Sequence, residues 1–207
     1  MSKMKTIPHT CVLTRSFYQR NPLLVAKNLL GKTLVRSVRE KIMTGKIVEV
    51  EAYIGPEDKA SHAYRNLRTD RTMLQFGERG LAYVYTVYGV NHCFCVVAGR
   101  DHIPAVCLIR AVEPLLGLET MRTNRQAPST LSLTNGPSKL CQAFAIDQRY
   151  YGTDLCTRGP LYIAEGDSIP KGLIGTSGRI GIDYAEESKD HPWRYFLRGN
   201  KFVSGTC

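Results

Sequence analysis

Residues 42–53 alternate between two kinds of side chain, and this alternation restricts the fold more than any other feature of the sequence. Successive side chains of a β-strand point to opposite faces of a sheet, so a period of two indicates a strand. One predicted face carries only apolar side chains, namely Val48, Val50 and Ala52. The other predicted face carries Ile47, Glu49, Glu51 and Tyr53. We therefore expect a sheet with one apolar face against the core.

The remaining segments predict an α+β fold, a single domain with a mostly antiparallel β-sheet and flanking helices. Gly89-Val90-Asn91 separates two β-rich runs and is typical of a turn, so we expect a protruding β-hairpin there. The domain is expected to span residues 1–207, with residues 1–14 as a loosely ordered arm. Further strands are expected at residues 32–38, 81–88, 93–98, 105–112, 179–183 and 195–198. Helices are expected at residues 22–31, 114–125 and 137–146.

The net charge and the positions of the cysteines limit which classes of partner and cofactor we expect. The 207 residues carry a formal net charge of +10, which favours an anionic partner, either nucleic acid or an anionic membrane surface. No apolar run is long enough to cross a membrane. The seven cysteines are scattered without two pairs at ligand spacing, so we expect no metal and no other cofactor. A group of arginines interleaved with apolar residues is typical of a basic folded face: Arg65, Arg68, Arg71 and Arg79.

Two carboxylates, Glu49 and Glu51, are expected on one face of the 42–53 strand, beside Tyr53. Acidic side chains on one strand face repel each other, so they indicate either a solvent-exposed polar face or a general base in an aromatic cleft. Arg110 ends an apolar run that should be buried. It either lies in water at a sheet edge or needs a carboxylate partner, for which Glu51 and Glu113 are candidates.

Aromatic side chains concentrate around the expected hairpin. Tyr83 and Tyr85 fit ordinary sheet packing as well as a binding cleft. Tyr88 lies where a strand meets Gly89, so it is a candidate for an exposed wedge that enters a DNA stack. His62, in the loop after the 42–53 strand, is either a surface residue or part of the same cleft.

Several motifs in one order resemble the alkyladenine (3-methyladenine) DNA glycosylase family of the single-domain type. The resemblance covers about residues 15–204, and the order of the motifs makes it specific. It implies an enzyme that flips alkylated or deaminated purines out of duplex DNA and hydrolyses the N-glycosidic bond, leaving an abasic site. The motifs are residues 45–58 with 61–62, 82–85 with 88–89, 108–114, 136–143, 158–160 and 179–182.

The resemblance also implies a catalytic group. Glu51 would be the general base that activates water, and Arg110 and the backbone carbonyl of Ile180 would help to hold that water. A cationic alkylated purine is already a good leaving group, so one carboxylate can suffice where other sugar hydrolases need two. The resemblance assigns no lysine to the pocket, which predicts hydrolysis without a Schiff base.

Substrate contacts follow from the same resemblance. Tyr53 would stack on one face of the flipped base, with His62 and Tyr85 on the other. The backbone N–H of His62 would read the edge of the base. Tyr88 would fill the gap in the duplex, so the hairpin is expected to enter the DNA minor groove.

Three positions depart from the pattern of the family. Cys95 stands where the family usually carries an asparagine that faces the pocket, and Val90 and Gln75 replace common methionines. A thiol is smaller than an amide and makes weaker hydrogen bonds, so Cys95 predicts looser exclusion of purines with a 2-amino group.

We expect Arg71 and Lys139 to contact the DNA.

Other functions were weighed against these motifs. A non-catalytic nucleic-acid-binding module would use the same basic and aromatic surface. A nucleotidyl or formyl transferase would need a phosphate-binding glycine loop or a metal cluster, and a free-nucleoside hydrolase would leave the charge and Tyr88 unexplained. The preferred lesion stays open among 3-methyladenine, 7-methylguanine, hypoxanthine and ethenoadenine. We expect a monomer in the bacterial cytoplasm that binds damaged double-stranded DNA and no membrane.

Overall fold

An antiparallel sheet of eight strands organises the computed structural model, which describes residues 11–100 and 102–205. The strands are β1 (Thr33–Val38), β2 (Lys41–Ile54), β3 (Ala82–Val87), β4 (Asn91–Val97), β5 (Ala105–Leu116), β6 (Leu161–Ala164), β7 (Ile174–Ser177) and β8 (Arg194–Leu197). Their order is β3-β4-β5-β2-β1-β6, and β8 pairs with both β2 and β7. The α-helices are α1 (Arg15–Tyr18), α2 (Pro22–Leu29), α3 (Leu118–Asn124) and α4 (Pro137–Phe144). The expected α+β fold with an antiparallel sheet and flanking helices is confirmed.

Strand β2 lies at the centre of the sheet and contacts three other strands. Its first half pairs with β1, its second half with β8, and nearly its whole length with β5. The register with β5 shifts on both sides of Glu49, which marks an irregular, bulged segment. The predicted alternation is therefore wrong at Ile47, which packs in the same core as Val48, Val50 and Ala52.

The β3–β4 pair forms the expected hairpin. Val87 pairs with Asn91, so Tyr88, Gly89 and Val90 form the turn between the strands. Gly89 has φ +74°, a left-handed conformation that glycine adopts without steric cost. Tyr88 is 93% exposed and Val90 76% exposed, so an aromatic and a branched apolar side chain project from the tip.

Two of the helices pack against the sheet at positions that the sequence indicated. Helix α2 begins where the side chain of Asn21 accepts a hydrogen bond from the Leu23 N–H, and Pro22 occupies its first turn. Helix α4 begins with Pro137 after Gly136 and contacts β4 and β5. This contact fixes the start of α4 beside the strands that carry the site described below. No helix in the described part of the chain is long and apolar enough to cross a membrane.

The helix expected over residues 114–125 is wrong in its first turn. Strand β5 continues to Leu116, and Pro114 lies opposite Gly45 of β2, beside a register shift. Proline is tolerated at such an irregularity because it has no N–H to donate to a regular ladder. The helix starts only after Gly117, whose φ is +83° and where a Cβ atom would lie 2.5 Å from the Ile42 carbonyl oxygen.

Two further expectations are corrected near the ends of the chain. Residues 179–183 form a loop instead of a strand, and β7 precedes them at Ile174–Ser177. The first ten residues of the expected arm lie outside the described residues. The last part of that arm is ordered, because Val12 pairs with Ala164 of β6 and Leu13 is buried.

Candidate active site

A cavity of about 540 Å³ opens on the face of the sheet near the β3–β4 hairpin. Alternate residues of neighbouring strands point to the same face, and this places their side chains along one wall. The strands contribute Tyr53, Tyr83, Tyr85, Cys93, Cys95, Val106, Leu108 and Arg110. Loops and the start of α4 contribute His62, Arg71, Gln75, Pro137, Ser138, Ile180, Gly181, Ile182 and Tyr184. Most of the residues proposed from the sequence as substrate contacts therefore meet in one place.

Glu51 lies behind this wall, fully buried, and accepts hydrogen bonds from three groups that line the cavity. Its Oε2 accepts from the Tyr53 hydroxyl at 2.8 Å and from Nη1 of Arg110 at 3.1 Å. Its Oε1 accepts from the backbone N–H of Ile180 at 2.8 Å. The predicted Glu51 partner of Arg110 is confirmed, whereas Glu113 lies elsewhere and accepts from Asn200. The two alternative predictions, that Glu49 and Glu51 form a solvent-exposed face and that Arg110 lies in water, are wrong because all three side chains are buried.

Glu49 belongs to the same network, although the sequence analysis gave it no role. Its Oε1 accepts from Nε of Arg110 at 3.1 Å and from Nε of Arg194 at 2.6 Å. Ser204 donates its backbone N–H to Oε2 at 2.6 Å and its hydroxyl to Oε1 at 2.9 Å. The Glu49 carboxylate has a structural role, since it holds two buried arginines and, unlike Glu51, contacts only one residue of the cavity lining, Arg110.

The charges of this network support one another. Burial opposes the charge of Arg110, but the adjacent Glu51 and Glu49 carboxylates raise its pKa. Burial first, and then the charge of Glu51, raise the pKa of the Tyr53 hydroxyl well above its usual value. Tyr53 therefore stays protonated and can donate to Glu51.

A buried ion pair fixes the loop that carries Ile180. Arg179 donates from Nη1 and Nη2 to the two carboxylate oxygens of Asp58, at 2.6 and 2.8 Å. Its guanidinium also lies over the ring of Tyr53, 4.7 Å from the centroid. Such a bidentate pair restricts both partners, so the Ile180 N–H is held in line with Glu51 and the Tyr53 ring is held against the wall.

His62, Tyr83, Tyr85 and Arg71 form the other side of the cavity. Nη2 of Arg71 lies 3.0 Å from Nε2 of His62, and arginine can only donate, so Nε2 is the acceptor. The imidazole proton is then on Nδ1, which lies 2.8 Å from the Tyr83 hydroxyl oxygen and donates to it. The His62 and Tyr85 rings meet edge to face, with centroids 4.7 Å apart.

His62 is expected to destabilise the fold as the pH falls. Burial first, and then the Arg71 guanidinium, lower the pKa of His62 from 6.5 to about 4. Between these two values the unfolded chain binds the proton that the folded chain does not, so this contribution is present above pH 6.5 and is lost as the pH falls towards 4. Urea unfolding at several pH values across this window should show a smaller pH dependence for His62→Gln than for the wild type. The exposed-site control His102→Gln should behave like the wild type, and equal slopes for all three proteins would contradict the assignment.

The predicted basic face is only partly correct. Arg65, Arg68 and Arg71 are exposed, and Arg71 also lies over the Tyr85 ring. The prediction that Arg79 belongs to this face is wrong, because Arg79 is 1% exposed and donates to backbone carbonyls. Lys139 is half-buried in α4, next to the cavity, and donates to the Asn135 side chain at 3.0 Å.

Comparison with known proteins agrees with this arrangement. Residues 16–201 match the profile of the family described as Methylpurine-DNA glycosylase (MPG). The chain belongs to this family. Its members are DNA glycosylases, which hydrolyse N-glycosyl bonds, so the resemblance inferred from the motifs is confirmed.

Similar proteins match this chain almost end to end. A protein of Clostridium botulinum (strain Alaska E43 / Type E3) is 49% identical over 201 residues, covering 93% of this chain and 98% of its own length. A protein of Desulfitobacterium hafniense (strain Y51) is 46% identical over 200 residues, with the same coverage. Both carry the name "Putative 3-methyladenine DNA glycosylase".

No lysine is among the described residues that line the cavity of this glycosylase. In the same described part of the chain, no three His, Cys, Asp or Glu side chains are placed to hold a metal ion. Cys95 lies in the cavity wall between its strand partners, Tyr83 on β3 and Leu108 on β5.

Proposed function

We propose that this glycosylase flips an alkylated or deaminated purine out of duplex DNA and hydrolyses its N-glycosidic bond, leaving an abasic site. The observation that carries the proposal is the Glu51 carboxylate, which three cavity-lining groups hold at the wall of an aromatic cavity. The cavity volume of about 540 Å³ lies within the range of small-ligand sites. A base can reach this cavity only after it leaves the duplex.

In the proposed reaction, Glu51 accepts a proton from water while the water oxygen attacks C1′ of the sugar. The bond between C1′ and the purine nitrogen breaks, and its electron pair leaves with the base. Of the roughly four lone-pair sites of the carboxylate, three accept hydrogen bonds, so one site on Oε1 is left to bind a water. Arg110 and the carbonyl oxygen of Ile180 are proposed to orient that water, and the negative carboxylate stabilises the oxocarbenium-like sugar.

Aromatic side chains are proposed to hold the flipped base from both sides. Tyr53 would lie against one face, and His62 and Tyr85 against the other. A methylated purine carries positive charge, and electron-rich rings favour such a cation by about 0.5–2 kcal/mol each. The neutral state of His62 suits this role, since a protonated imidazole would repel the substrate.

The exposed hairpin tip is proposed to hold the duplex open from the minor groove, with Tyr88 in the vacated space. Arg71 and Lys139, on either side of the cavity, would bind phosphates, so affinity should fall with rising salt. The net charge of +10 also favours binding to an anionic partner such as DNA. We further propose that the protein acts as a monomer in the bacterial cytoplasm.

Tyr88→Ala should slow base release from duplex DNA by about tenfold to a hundredfold, because unstacking a base step costs a few kcal/mol that the inserted ring offsets. The effect should be much smaller on single-stranded DNA, where no gap has to be filled. Thermal stability should not change, since Tyr88 is 93% exposed. Leu173→Ala, at another exposed apolar side chain, is the control, and equal losses on both substrates would argue against the wedge.

Cys95→Asn should tighten base selection. An amide at this position fills more of the cavity than the thiol and can clash with a 2-amino group. Release of 7-methylguanine, which carries a 2-amino group, should then fall relative to release of 3-methyladenine from the same alkylated DNA. An unchanged ratio of the two bases would remove Cys95 from the selection of substrate.

The direct test is base release by the wild-type protein from duplexes with one defined lesion, in the presence of EDTA. Release of a free base, with an intact strand until the abasic site is cleaved chemically, is the expected result. Binding of duplex DNA without release from alkylated, hypoxanthine or ethenoadenine substrates would instead identify a non-catalytic nucleic-acid-binding module.

A further inference from the structure

Gln75 contains a buried amide that the proposed reaction does not use. It lies in the 3-10 turn Met73–Phe76, is fully buried and lines the cavity. Neither Nε2 nor Oε1 has a partner of good hydrogen-bond distance and angle among the described residues. The Tyr83 hydroxyl is the polar group near it: burial raises the pKa of Tyr83 to about 12, and a hydrogen-bonding influence of the Gln75 side chain is among the lesser causes that lower this pKa.

An unpaired buried amide needs an explanation, because native proteins pair nearly all buried polar groups. Leaving such a group without a partner destabilises the free protein. A ligand that pairs with the amide removes this cost, so the amide favours a ligand with matching polar atoms. Since the amide faces the cavity, the ligand is the one that the cavity holds.

The turn that carries Gln75 is fixed at one end of the cavity. Arg79 donates from Nη1 to the Gln75 carbonyl at 3.0 Å and from Nε to the Gly99 carbonyl at 3.1 Å. The N–H of Gly80 then donates to the carbonyl of Val97, at the end of β4. Gln75 therefore lies at the end of the wall formed by Val97 and its neighbour on β5.

The catalytic network lies at the other end of the same wall. Val106 is the β5 residue that pairs with Val97, and Leu108 and Arg110 follow it on the same face. Four residues of a strand span about 13 Å, which separates the Val106 end from the arginine that contacts Glu51. A base in the cavity must place its glycosidic nitrogen near Glu51, and its opposite edge then points towards Gln75.

The N1–C6 edge of a purine is the edge farthest from the glycosidic nitrogen N9. A carboxamide offers one donor and one acceptor side by side, which matches an edge that carries one acceptor and one donor. Hypoxanthine is a neutral lesion with such an edge, since it has C6=O and N1–H, and it shares this edge with guanine. The cysteines of the cavity, Cys93 and Cys95, offer only weak hydrogen-bonding groups in comparison.

We propose that the Gln75 amide binds the N1–C6 edge of the flipped purine, with Nε2 donating to O6 and Oε1 accepting from N1–H, and thereby favours hypoxanthine over a base that lacks this edge. This proposal rests on the proposed base-flipping function. It makes Gln75 a specificity-determining residue at the far end of the cavity from Glu51.

The test compares hypoxanthine with unsubstituted purine, the same ring without O6 and N1–H, each at one site in the same duplex. Single-turnover release of both bases is measured for the wild type, for Gln75→Met, which keeps side-chain length without the amide, and for Gln126→Met. Gln126 is exposed and outside the cavity, so it is the matched control. Gln75→Asn, with the amide one methylene shorter, is the second variant.

The ratio of hypoxanthine to purine release should fall about tenfold to a hundredfold in Gln75→Met, as expected for the loss of hydrogen bonds at a buried site. It should fall less in Gln75→Asn and stay unchanged in Gln126→Met. The midpoint of thermal unfolding should stay close to that of the wild type in Gln75→Met, because the lost amide makes no hydrogen bond of good geometry in the free protein.

Other results overturn the proposal in distinguishable ways. An unchanged ratio in both Gln75 variants, or an equal loss on both bases, refutes the role of Gln75 and leaves the proposed glycosylase function standing. Wild-type release of alkylated purines without release of hypoxanthine refutes the selection of hypoxanthine in the same way. If the wild type releases none of these bases, the proposed function fails and the inference fails with it.

Discussion

Glu51→Gln will lower base release from lesion-containing duplex DNA by about a hundredfold to ten-thousandfold, the usual contribution of a general base. The amide keeps the shape of the side chain but cannot accept the proton of the attacking water. DNA affinity should stay within a factor of a few, because Glu51 is buried behind the cavity wall. Single-turnover release and binding titration on the same duplex measure the two quantities separately.

Glu113→Gln is the matched control for this experiment. Glu113 lies on the neighbouring strand β5, outside the cavity lining, and bonds to Asn200. It should release base at the wild-type rate. Comparable losses in both variants would show that the rate depends on the fold, and wild-type release by Glu51→Gln would assign the general base to another group.

Glu49→Ala will lower the free energy of unfolding by about 3–5 kcal/mol, the size of effect found when one member of a buried ion pair is removed. The substitution leaves Arg194 without its carboxylate and Arg110 with one carboxylate in place of two. It also leaves the N–H of Ser204 without its acceptor. Urea unfolding measures the change.

Glu113→Ala provides the comparison for the stability measurement. Its carboxylate is 31% exposed and lies 3.5 Å from Lys46, so its loss should cost at most about 1 kcal/mol. Equal destabilisation by the two substitutions would mean that the buried pairs of Glu49 contribute no more than a surface contact does.

The sequence was sufficient for features that depend on local pattern. The alternation within residues 42–53 predicts β2, and the turn residues around Gly89 predict the hairpin. An arginine after an apolar run predicts a carboxylate partner, and Glu51 is one. Strand periodicity and turn chemistry act on residues close together in the chain. The cost of a buried charge predicts that Arg110 needs a partner, although it does not say which carboxylate supplies it.

Features that depend on contacts between distant segments of the chain could not be predicted from the sequence. The partners of Glu49 include Arg194 and Ser204, and no periodic signal joins segments 145 and 155 residues apart. Arg79 looks like a surface charge in composition but is buried among carbonyl groups of two loops. The apolar residues near Ile180 are typical of a strand, yet the buried pair of Arg179 with Asp58 holds them as a loop.

The contacts of Glu49 also have a consequence for the order in which the enzyme becomes active during synthesis. Glu49 and Glu51 emerge from the ribosome early, whereas Arg194 and Ser204 are added more than 140 residues later. Until then, the nascent chain holds its acidic pair with Arg110 but without the second arginine and the Ser204 N–H. The buried charge network behind the cavity can therefore be completed only when almost all of this sequence has been translated.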